Sequence, residues 1–239
     1  MTIAGSGAPD PRRFAGVNAW VFDLDNTLYP RHINLFAQVD QRIREYVGRL
    51  LKLGPEEAQR VQKDYYRRYG TTLRGLMEEH RVKPDDFLEY VHDIDHSPVE
   101  ADPRLGAAIE RLAGRKFILT NGSRAHAEKV AGRLGITRHF EDIFDIVTSA
   151  FLPKPNRATY DGFLAATGID PMRAAMFEDL ARNLESPKAL GMATVLVVPP
   201  AARELIGEAW EMEGREAAYI DFITDDLAAF LEGVGGGGA

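Results

Sequence analysis

From about residue 104 onward, short apolar runs alternate with stretches of helical periodicity, and this alternation limits the possible folds more than any other feature. The runs are KFILTN (116–121), IFDIVTS (143–149), AAMFED (174–179), ATVLVVP (193–199) and AYIDFIT (218–224). Between them, segments 123–134 and 159–167 repeat apolar residues at three- and four-residue intervals. Continuous apolar strands separated by helices are typical of a parallel sheet covered on both faces. With residues 20–22 as the first strand, the sequence predicts a doubly wound α/β core.

Residues 31–102 separate the first strand from this region and have a different pattern. Apolar residues recur there with helical spacing at Leu35, Val39, Ile43, Val47 and Leu50. A proline at position 55 suits the first turn of a further helix, and no segment has the pattern of a strand. The sequence therefore predicts an all-helical cap domain over 31–102, inserted into a core domain formed by 1–30 and 103–239.

The composition restricts the class of protein. Of the 239 residues, 45% are hydrophobic and 27% charged, which is the balance of a globular chain, and the formal net charge is -7. An acidic surface is not expected to bind a nucleic acid polymer or an anionic membrane. The chain has no cysteine, and we expect a cytoplasmic protein, a monomer or homodimer. The first 17 residues and the GVGGGGA end (233–239) are expected to be loose segments.

Two aspartates, Asp23 and Asp25, follow the first strand in the stretch WVFDLDNTLYP (20–30). Ligands of open parallel sheets bind beyond the carboxyl ends of the strands, which is where this pair falls. Close carboxylates repel one another unless a cation lies between them, and Mg²⁺ is the usual cation. The alternative is a polar turn in which Asp25, Asn26 and Thr27 make local hydrogen bonds.

Other predicted strands end in polar residues of matching chemistry. The run ILTNG ends in Thr120 and Asn121, which suit hydrogen bonds to an oxyanion, and FLPKPN holds Lys154 between two prolines. The run MFEDLARNL ends in a second acidic pair, Glu178 and Asp179. Each run alone is also compatible with a helix cap or a surface charge.

With these four segments in this order, the sequence resembles the haloacid dehalogenase superfamily of phosphohydrolases. The resemblance covers the core from about residue 21 to 198, and the helical insert is similar to the cap of this family. The stretches FDLDNTLYP, YYRRYGTTLRGLM, LTNGSRAHAEKVAGRLGI, KPNRATY and FEDLARNLESPKALGM more narrowly resemble its pyrimidine 5'-nucleotidase branch.

The resemblance implies a mechanism and a Mg²⁺ cofactor. Asp23 would attack the phosphorus and form an aspartyl-phosphate, and Asp25 would act as general acid and then general base. Mg²⁺ would be held by Asp23, the backbone carbonyl of Asp25 and Asp179, with Glu178 direct or through water.

The remaining strand-end residues would serve the phosphoryl group in the same mechanism. Thr120, the backbone at Asn121 and Lys154 would hold its oxygens. Asn183 would orient Lys154 or a metal ligand. Because an alkoxide leaving group needs a proton and a halide does not, Asp25 favours phosphoester hydrolysis over dehalogenation.

The substrate is expected to be a small phosphorylated metabolite, with UMP or CMP favoured. The alternatives are a sugar phosphate, pyridoxal phosphate or another small phosphoester, and a catalytically silent protein that binds a phosphorylated ligand. In the cap, Tyr66 and Tyr69 are candidate contacts for a base, with packing in the cap as the alternative. His92 and His96 have the i, i+4 spacing of zinc ligands, but no third ligand is evident.

Overall fold

The computed structural model describes residues 11–200 and 213–235. In these residues six parallel strands form one sheet, in the order β3-β2-β1-β4-β5-β6. The strands are β1 (Ala19–Phe22), β2 (Arg115–Leu119), β3 (Asp142–Phe144), β4 (Ala174–Glu178), β5 (Ala193–Val197) and β6 (Phe222–Thr224).

Nine helices of the described residues surround this sheet or lie in the insert. They are α1 (Leu35–Leu51), α2 (Pro55–Tyr69), α3 (Thr72–His80), α4 (Pro84–Val91), α5 (Pro103–Arg111), α6 (Arg124–Leu134), α7 (Arg157–Thr167), α8 (Glu185–Leu190) and α9 (Leu227–Gly235). Within the described ranges, no helix has both the length and the apolar character needed to cross a bilayer.

Alternate residues of the strands face opposite sides of the sheet, and each side is covered. Phe22 belongs to an apolar cluster with residues of α5, α6 and α9, whereas Val21 belongs to a second cluster with residues of α7. The predicted doubly wound core is therefore confirmed.

Two strands, β3 and β6, are much shorter than the runs that predict them. The run at 143–149 continues the strand only to Phe144, because the next carboxylate starts a turn. Asp145 accepts hydrogen bonds from the backbone N–H groups of Arg124 and Thr148, both at 2.9 Å. Aspartate side chains favour turns by this competition with the strand ladder. In the run at 218–224, the strand begins only at Phe222.

The insert between β1 and α5 is all-helical, as the sequence predicts, and α1 to α4 pack around a third apolar cluster. The predicted stripe on α1 differs at one position. Leu50 is 40% exposed, whereas Leu51 packs against the cluster. Four-residue steps from Val47 lead to Leu51, which explains the exchange. The boundaries at 30 and 102 stay predictions.

Parts of the two expected loose segments pack against the core. Phe14 is 4% exposed and stacks on Trp20 with ring centroids 6.0 Å apart. At the other end, α9 continues to Gly235, and Val234 packs against the same cluster. The expectation is therefore wrong for these residues, because an aromatic and a branched side chain have apolar surface to bury. Residues 1–10 and 236–239 lie outside the described residues.

Candidate active site

The site lies where β1 and β4 are neighbours, at their carboxyl ends. Phe22 is in register with Phe177, and the N–H of Asp23 donates to the Phe177 carbonyl at 2.9 Å. The strand order reverses at this pair of strands, where open parallel sheets form a ligand crevice. The register brings Asp23 beside the acidic pair Glu178 and Asp179.

Lys154 holds two of these carboxylates. Its ammonium group, 1% exposed, donates to Asp23 Oδ1 at 2.7 Å, Glu178 Oε1 at 2.7 Å and the Leu119 carbonyl at 2.8 Å. Burial lowers the pKa of an amine, but the carboxylates of Asp23 and Glu178 outweigh it and raise the pKa of Lys154 above its ordinary value. Three hydrogen bonds use all three ammonium hydrogens, so in this arrangement Lys154 positions the two carboxylates.

Glu178 is fully buried and both of its oxygens have protein donors. Oε1 also accepts from Asn183 Nδ2 at 2.7 Å, and Oε2 accepts from the N–H of Leu180 at 2.9 Å. Asn183 thus contacts an acidic residue of the site directly. A carboxylate held by three donors has a fixed orientation.

Asp179 lies in contact with a cation that the sequence analysis did not single out. Arg31 Nη2 is 3.1 Å from Asp179 Oδ2, and Asn26 Nδ2 donates to the same oxygen at 3.3 Å. Burial, reinforced by the charges of Glu178 and Asp23, raises the pKa of Asp179 well above its ordinary value.

Asp23, Glu178 and Asp179 fit a divalent cation. Their ligand oxygens lie within 4.8 Å of one another. Burial first, and then the charges of Glu178 and Asp25, raise the pKa of Asp23 to about 7 despite the ammonium of Lys154. Lys154 and Arg31 therefore do not fully offset the cost of burying these carboxylates. Hard oxygen donors crowded in this way match the preference of Mg²⁺.

Asp25 is bonded differently from Asp23. The Tyr29 hydroxyl is 2.6 Å and His126 Nε2 is 3.0 Å from Asp25 Oδ1. Burial would raise the pKa of this carboxyl, but the interactions with His126 and the Tyr29 hydroxyl outweigh it, so the pKa lies below its ordinary value. Two neighbouring aspartates thus have pKa values shifted in opposite directions, because their surroundings differ.

A second layer of histidines lies behind Asp25. His126 Nδ1 is 3.1 Å from His96 Nε2, and the His126 ring stacks on His92 with centroids 4.7 Å apart. His92 Nδ1 lies 3.0 Å from the Leu88 carbonyl. Helix α4 ends at Val91, so His92 and His96 do not share a helical face, and the premise of the zinc alternative is wrong.

Thr120 and Asn121 follow β2 on the other side of β1 and line the same cavity. Thr120 is 2% exposed, and its hydroxyl oxygen accepts from the N–H of Gly122 at 3.0 Å. The Asn121 side chain accepts from the N–H of Lys154 at 2.8 Å and donates to its carbonyl at 3.2 Å. Asn121 therefore joins the end of β2 to the loop that carries Lys154.

A cavity of about 430 Å³ extends from the carboxylates into the helical insert. Tyr66 lines it, and the guanidinium carbon of Arg182 lies 4.5 Å from the centroid of the Tyr66 ring. Tyr69 is not among the residues that line this cavity, and its role as a substrate contact stays a prediction. It lies at the last residue of α2, and its hydroxyl binds Glu79. Tyr65 packs in the insert.

Sequence reasoning missed Arg31, Tyr29 and His126. Tyr29 lies four residues after Asp25 in the same turn, so local spacing is a signal that could have found it. Arg31 is 148 residues from Asp179, and His126 is 101 residues from Asp25. No pattern in the sequence pairs residues at such separations.

Similar proteins include phosphatases. Over 210 residues the chain is 27% identical to phosphate metabolism protein 8 of Saccharomyces cerevisiae, covering 79% of this chain and 62% of that one. The chain thus spans less than two thirds of that relative. It is 26% identical to a phosphoglycolate phosphatase of Chromobacterium violaceum, covering 76% and 85% of the two chains. A phosphoglycolate phosphatase of Mesorhizobium japonicum is 29% identical, over 74% and 81%.

Solved structures share the fold, at identities too low to indicate function. L-2-haloacid dehalogenase of Xanthobacter autotrophicus has a TM-score of 0.59 at 20% identity, covering 92% of this chain and 99% of that one. A HAD family hydrolase of Deinococcus radiodurans R1 with bound phosphate and sodium has a TM-score of 0.52 at 21% identity, covering 92% and 97%.

The family comparison covers the whole site. The model of haloacid dehalogenase-like hydrolases matches residues 17–191, a range that contains both acidic pairs, Lys154, Thr120 and Asn183. This protein belongs to the haloacid dehalogenase-like hydrolases.

Proposed function

We propose that this hydrolase is a Mg²⁺-dependent phosphomonoesterase that works through an aspartyl-phosphate on Asp23, with a pyrimidine nucleoside 5'-monophosphate, UMP or CMP, as substrate. One observation carries the phosphatase assignment. Asp23 is held by the buried Lys154 beside a second acidic pair, while Asp25, two residues on, opens onto the same cavity.

In the first half-reaction, a carboxylate oxygen of Asp23 attacks the phosphorus, and the bond from phosphorus to the leaving-group oxygen breaks. The leaving alkoxide takes a proton from Asp25. In the second half-reaction Asp25 takes a proton from water, whose oxygen attacks the phosphorus, and the bond to Asp23 breaks. Phosphate leaves and both aspartates return to their initial state.

Asp25 is oriented for this exchange by its neighbours. Tyr29 and His126 both bind Oδ1, so we assign proton transfer to Oδ2. The lowered pKa of Asp25 favours the carboxylate, which the second half-reaction needs, whereas the first half-reaction needs the protonated form.

Asp23, Asp179 and the backbone carbonyl of Asp25 would hold Mg²⁺. Glu178, whose oxygens accept from Lys154, Asn183 and Leu180, would act directly or through water. The cation would offset the burial and the charge repulsion that raise the pKa values of Asp23 and Asp179, and it would stabilise negative charge on the phosphoryl oxygens.

The shape and charge of the cavity favour an uncharged leaving group. Its lining includes Val39, Ile43 and Leu88. Two cations of the lining pair with carboxylates, Arg31 with Asp179 and Lys63 with Asp40. A ribose with a flat base fits such a wall better than a second carboxylate does. The named phosphoglycolate phosphatases keep phosphoglycolate as the alternative substrate.

The chemistry is tested by phosphate release from p-nitrophenyl phosphate. We expect release with Mg²⁺, its loss with a chelator, and a loss of at least about 1000-fold in Asp23→Asn. The exposed aspartate of α7, in Asp161→Asn, is the matched control and should keep wild-type activity. About a tenth of the wild-type rate in Asp23→Asn would contradict the assignment.

The substrate is tested separately, by a phosphate-release screen over nucleotides, sugar phosphates, pyridoxal phosphate and phosphoglycolate. UMP or CMP should have the highest kcat/KM. A higher value for any other class refutes the nucleotide assignment and leaves the chemistry intact.

A further inference from the structure

Gln62 is a buried polar residue of the cavity that the proposed chemistry does not use. It lies on α2, is 2% exposed and lines the cavity. Its Nε2 donates to the carbonyl of Asp40 at 3.2 Å and to Asp40 Oδ1 at 2.8 Å. Its Oε1 is buried and has no hydrogen-bond partner among the described residues.

The orientation of this amide is fixed. Turning it over would place Oε1 against two acceptors of Asp40, which is unfavourable. Lys63 also donates to Asp40 Oδ1, at 3.1 Å, and the backbone carbonyl of Gln62 accepts from the Thr72 hydroxyl at 3.1 Å. Contacts with α1 and α3 thus hold Gln62 in place. Its side-chain oxygen nevertheless lacks a partner within the described ranges.

Buried amide oxygens in folded proteins nearly always accept a hydrogen bond, and an exception in a side chain that lines a ligand cavity indicates a missing donor. The missing donor must be an N–H or O–H group. The amide nitrogen of Gln62 itself already donates to Asp40, so the donor comes from another molecule. A carboxylate would meet both Oε1 and the Asp40 carboxylate and be repelled. The position therefore selects for a donor on the ligand.

The surrounding wall restricts the kind of ligand that carries the donor. Many of the cap residues that line the cavity with Gln62 are apolar, beside polar ones such as Asp40, Lys63 and Thr71. The apolar ones include Phe36, Val39, Ile43, Leu73, Phe87 and Leu88. A sugar chain would leave unpaired those of its hydroxyls that face the apolar residues. A flat heterocycle buries its faces there and needs a partner only at its polar edge.

We propose that Gln62 determines substrate specificity by accepting, at Oε1, a hydrogen bond from an N–H of a nucleobase-like heterocycle on the leaving group. This proposal rests on the proposed phosphomonoesterase activity and adds the group that the cap recognises. Uracil carries such a donor at N3 and cytosine at its amino group.

The experiment compares UMP with N3-methyl-UMP, which lacks the donor, in the wild type and in Gln62→Met. The wild type should prefer UMP by about 10- to 100-fold in kcat/KM, and Gln62→Met should reduce this preference to about 3-fold or less, through loss of activity on UMP. Activity on p-nitrophenyl phosphate should change little. Gln38→Met is the matched control, because Gln38 lies on α1 and pairs with Asp95 outside the cavity.

Three results would overturn the proposal. Equal wild-type activity on the two nucleotides means that water, not the ligand, satisfies Oε1. A preference that persists in Gln62→Met means that the added methyl group acts by its bulk. A fall on ribose 5-phosphate equal to that on UMP in Gln62→Met means that the donor is a hydroxyl.

Failure of the proposed function gives a different result, the absence of phosphate release from every substrate by the wild type. Calorimetric binding of the same two nucleotides to the wild type and Gln62→Met then tests the subsite alone. Equal affinities, or no affinity for UMP, overturn it.

Discussion

At the scale of single residues, the site is a set of buried charges that are individually costly and stable only together. Glu178 has no exposed surface and Lys154 has 1%. Breaking such a pair leaves the remaining charge buried without a partner, which typically costs about 3 to 5 kcal/mol. Substitutions of Lys154 are therefore expected to reduce the stability of the fold as well as the activity. Residues that can be replaced by a side chain of the same shape give clearer tests of catalysis.

Asp25→Asn preserves the acceptor for Tyr29 and His126 but cannot donate and recover a proton. We expect kcat/KM for UMP to fall by about 10²- to 10⁴-fold, because its alkoxide leaving group needs a proton. On p-nitrophenyl phosphate, whose phenolate leaves largely unaided, the loss in the first half-reaction should be much smaller. Steady-state kinetics on both substrates checks this, and equal losses would remove the acid role.

His92 predicts a pH dependence of stability. Burial first, and then the neighbouring His126, lower the pKa of His92 to about 3. The unfolded chain binds a proton near the ordinary pKa of 6.5, whereas the folded chain does not until about pH 3. The stabilising contribution is therefore complete above pH 6.5 and is lost as the pH falls toward 3.

Between pH 7 and 5.5 this group should lower the free energy of unfolding by about 1 kcal/mol. His92→Asn keeps a side-chain N–H donor. Its free energy of unfolding should fall by about 1 kcal/mol less than that of the wild type over the same pH interval. Urea denaturation at the two pH values measures both proteins. Identical changes in the two proteins would show that His92 is not held neutral.

At the scale of elements, α2 contributes several of the cap side chains that line the cavity. Gln62, Lys63 and Tyr66 line the cavity, whereas Tyr69 lies one residue before the turn at Gly70, near a separate groove that includes Pro153. Tyr66 and Tyr69 lie on similar sides of the helix, but they are displaced along its axis by about 4.5 Å. Periodicity defines a face of a helix and does not say where along the axis a cavity ends.

The two tyrosines therefore form a matched pair of variants. Tyr66→Ala should lower kcat/KM for UMP by about 10-fold or more, since stacking on a base is worth about 1 to 3 kcal/mol, and should barely affect p-nitrophenyl phosphate. Tyr69→Ala should leave the ratio of the two activities unchanged. Thermal unfolding is measured beside the kinetics. A lowered melting temperature with an unchanged ratio in Tyr66→Ala would assign this residue to packing.

At the scale of the whole molecule, the site lies between the apolar clusters of the core and the cluster of the helical insert. The residues of the cavity come from the ends of β1, β2 and β4 and from all four helices of the insert. A ligand at the carboxylates therefore binds an arrangement that exists only in the folded chain. Such binding adds to the stability of the whole fold.

Mg²⁺ should accordingly raise the melting temperature. At 100 times its dissociation constant, a ligand of the folded state stabilises by about 2.7 kcal/mol. In a chain of this size that corresponds to about 5 to 10 °C. Calorimetry with Mg²⁺ and with a chelator measures the shift, which Asp179→Asn should largely remove. A wild-type protein with equal melting temperatures in the two conditions would contradict the metal site.

The sequence by itself determined the features that depend on short-range interactions. The carboxyl ends of β1, β2 and β4, the all-helical insert and the positions of both acidic pairs follow from apolar periodicity and from polar residues directly after a strand. Helix starts are equally local, as at Ser123, whose side chain accepts from the N–H of His126 at 3.3 Å and caps α6. Such bonds join residues a few positions apart, so their pattern can be seen in the chain.

Only the tertiary structure decided which distant side chains meet. Arg31 reaches Asp179 and His126 reaches Asp25 because β4 and α6 bring them to the same end of the sheet. The unpartnered oxygen of Gln62 and the exclusion of Tyr69 depend on how the helices of the insert lie over the carboxylates. Hydrogen bonds act over about 3 Å, whereas these residues are separated in the chain by tens of positions or more, so their pairing is fixed only when the elements pack.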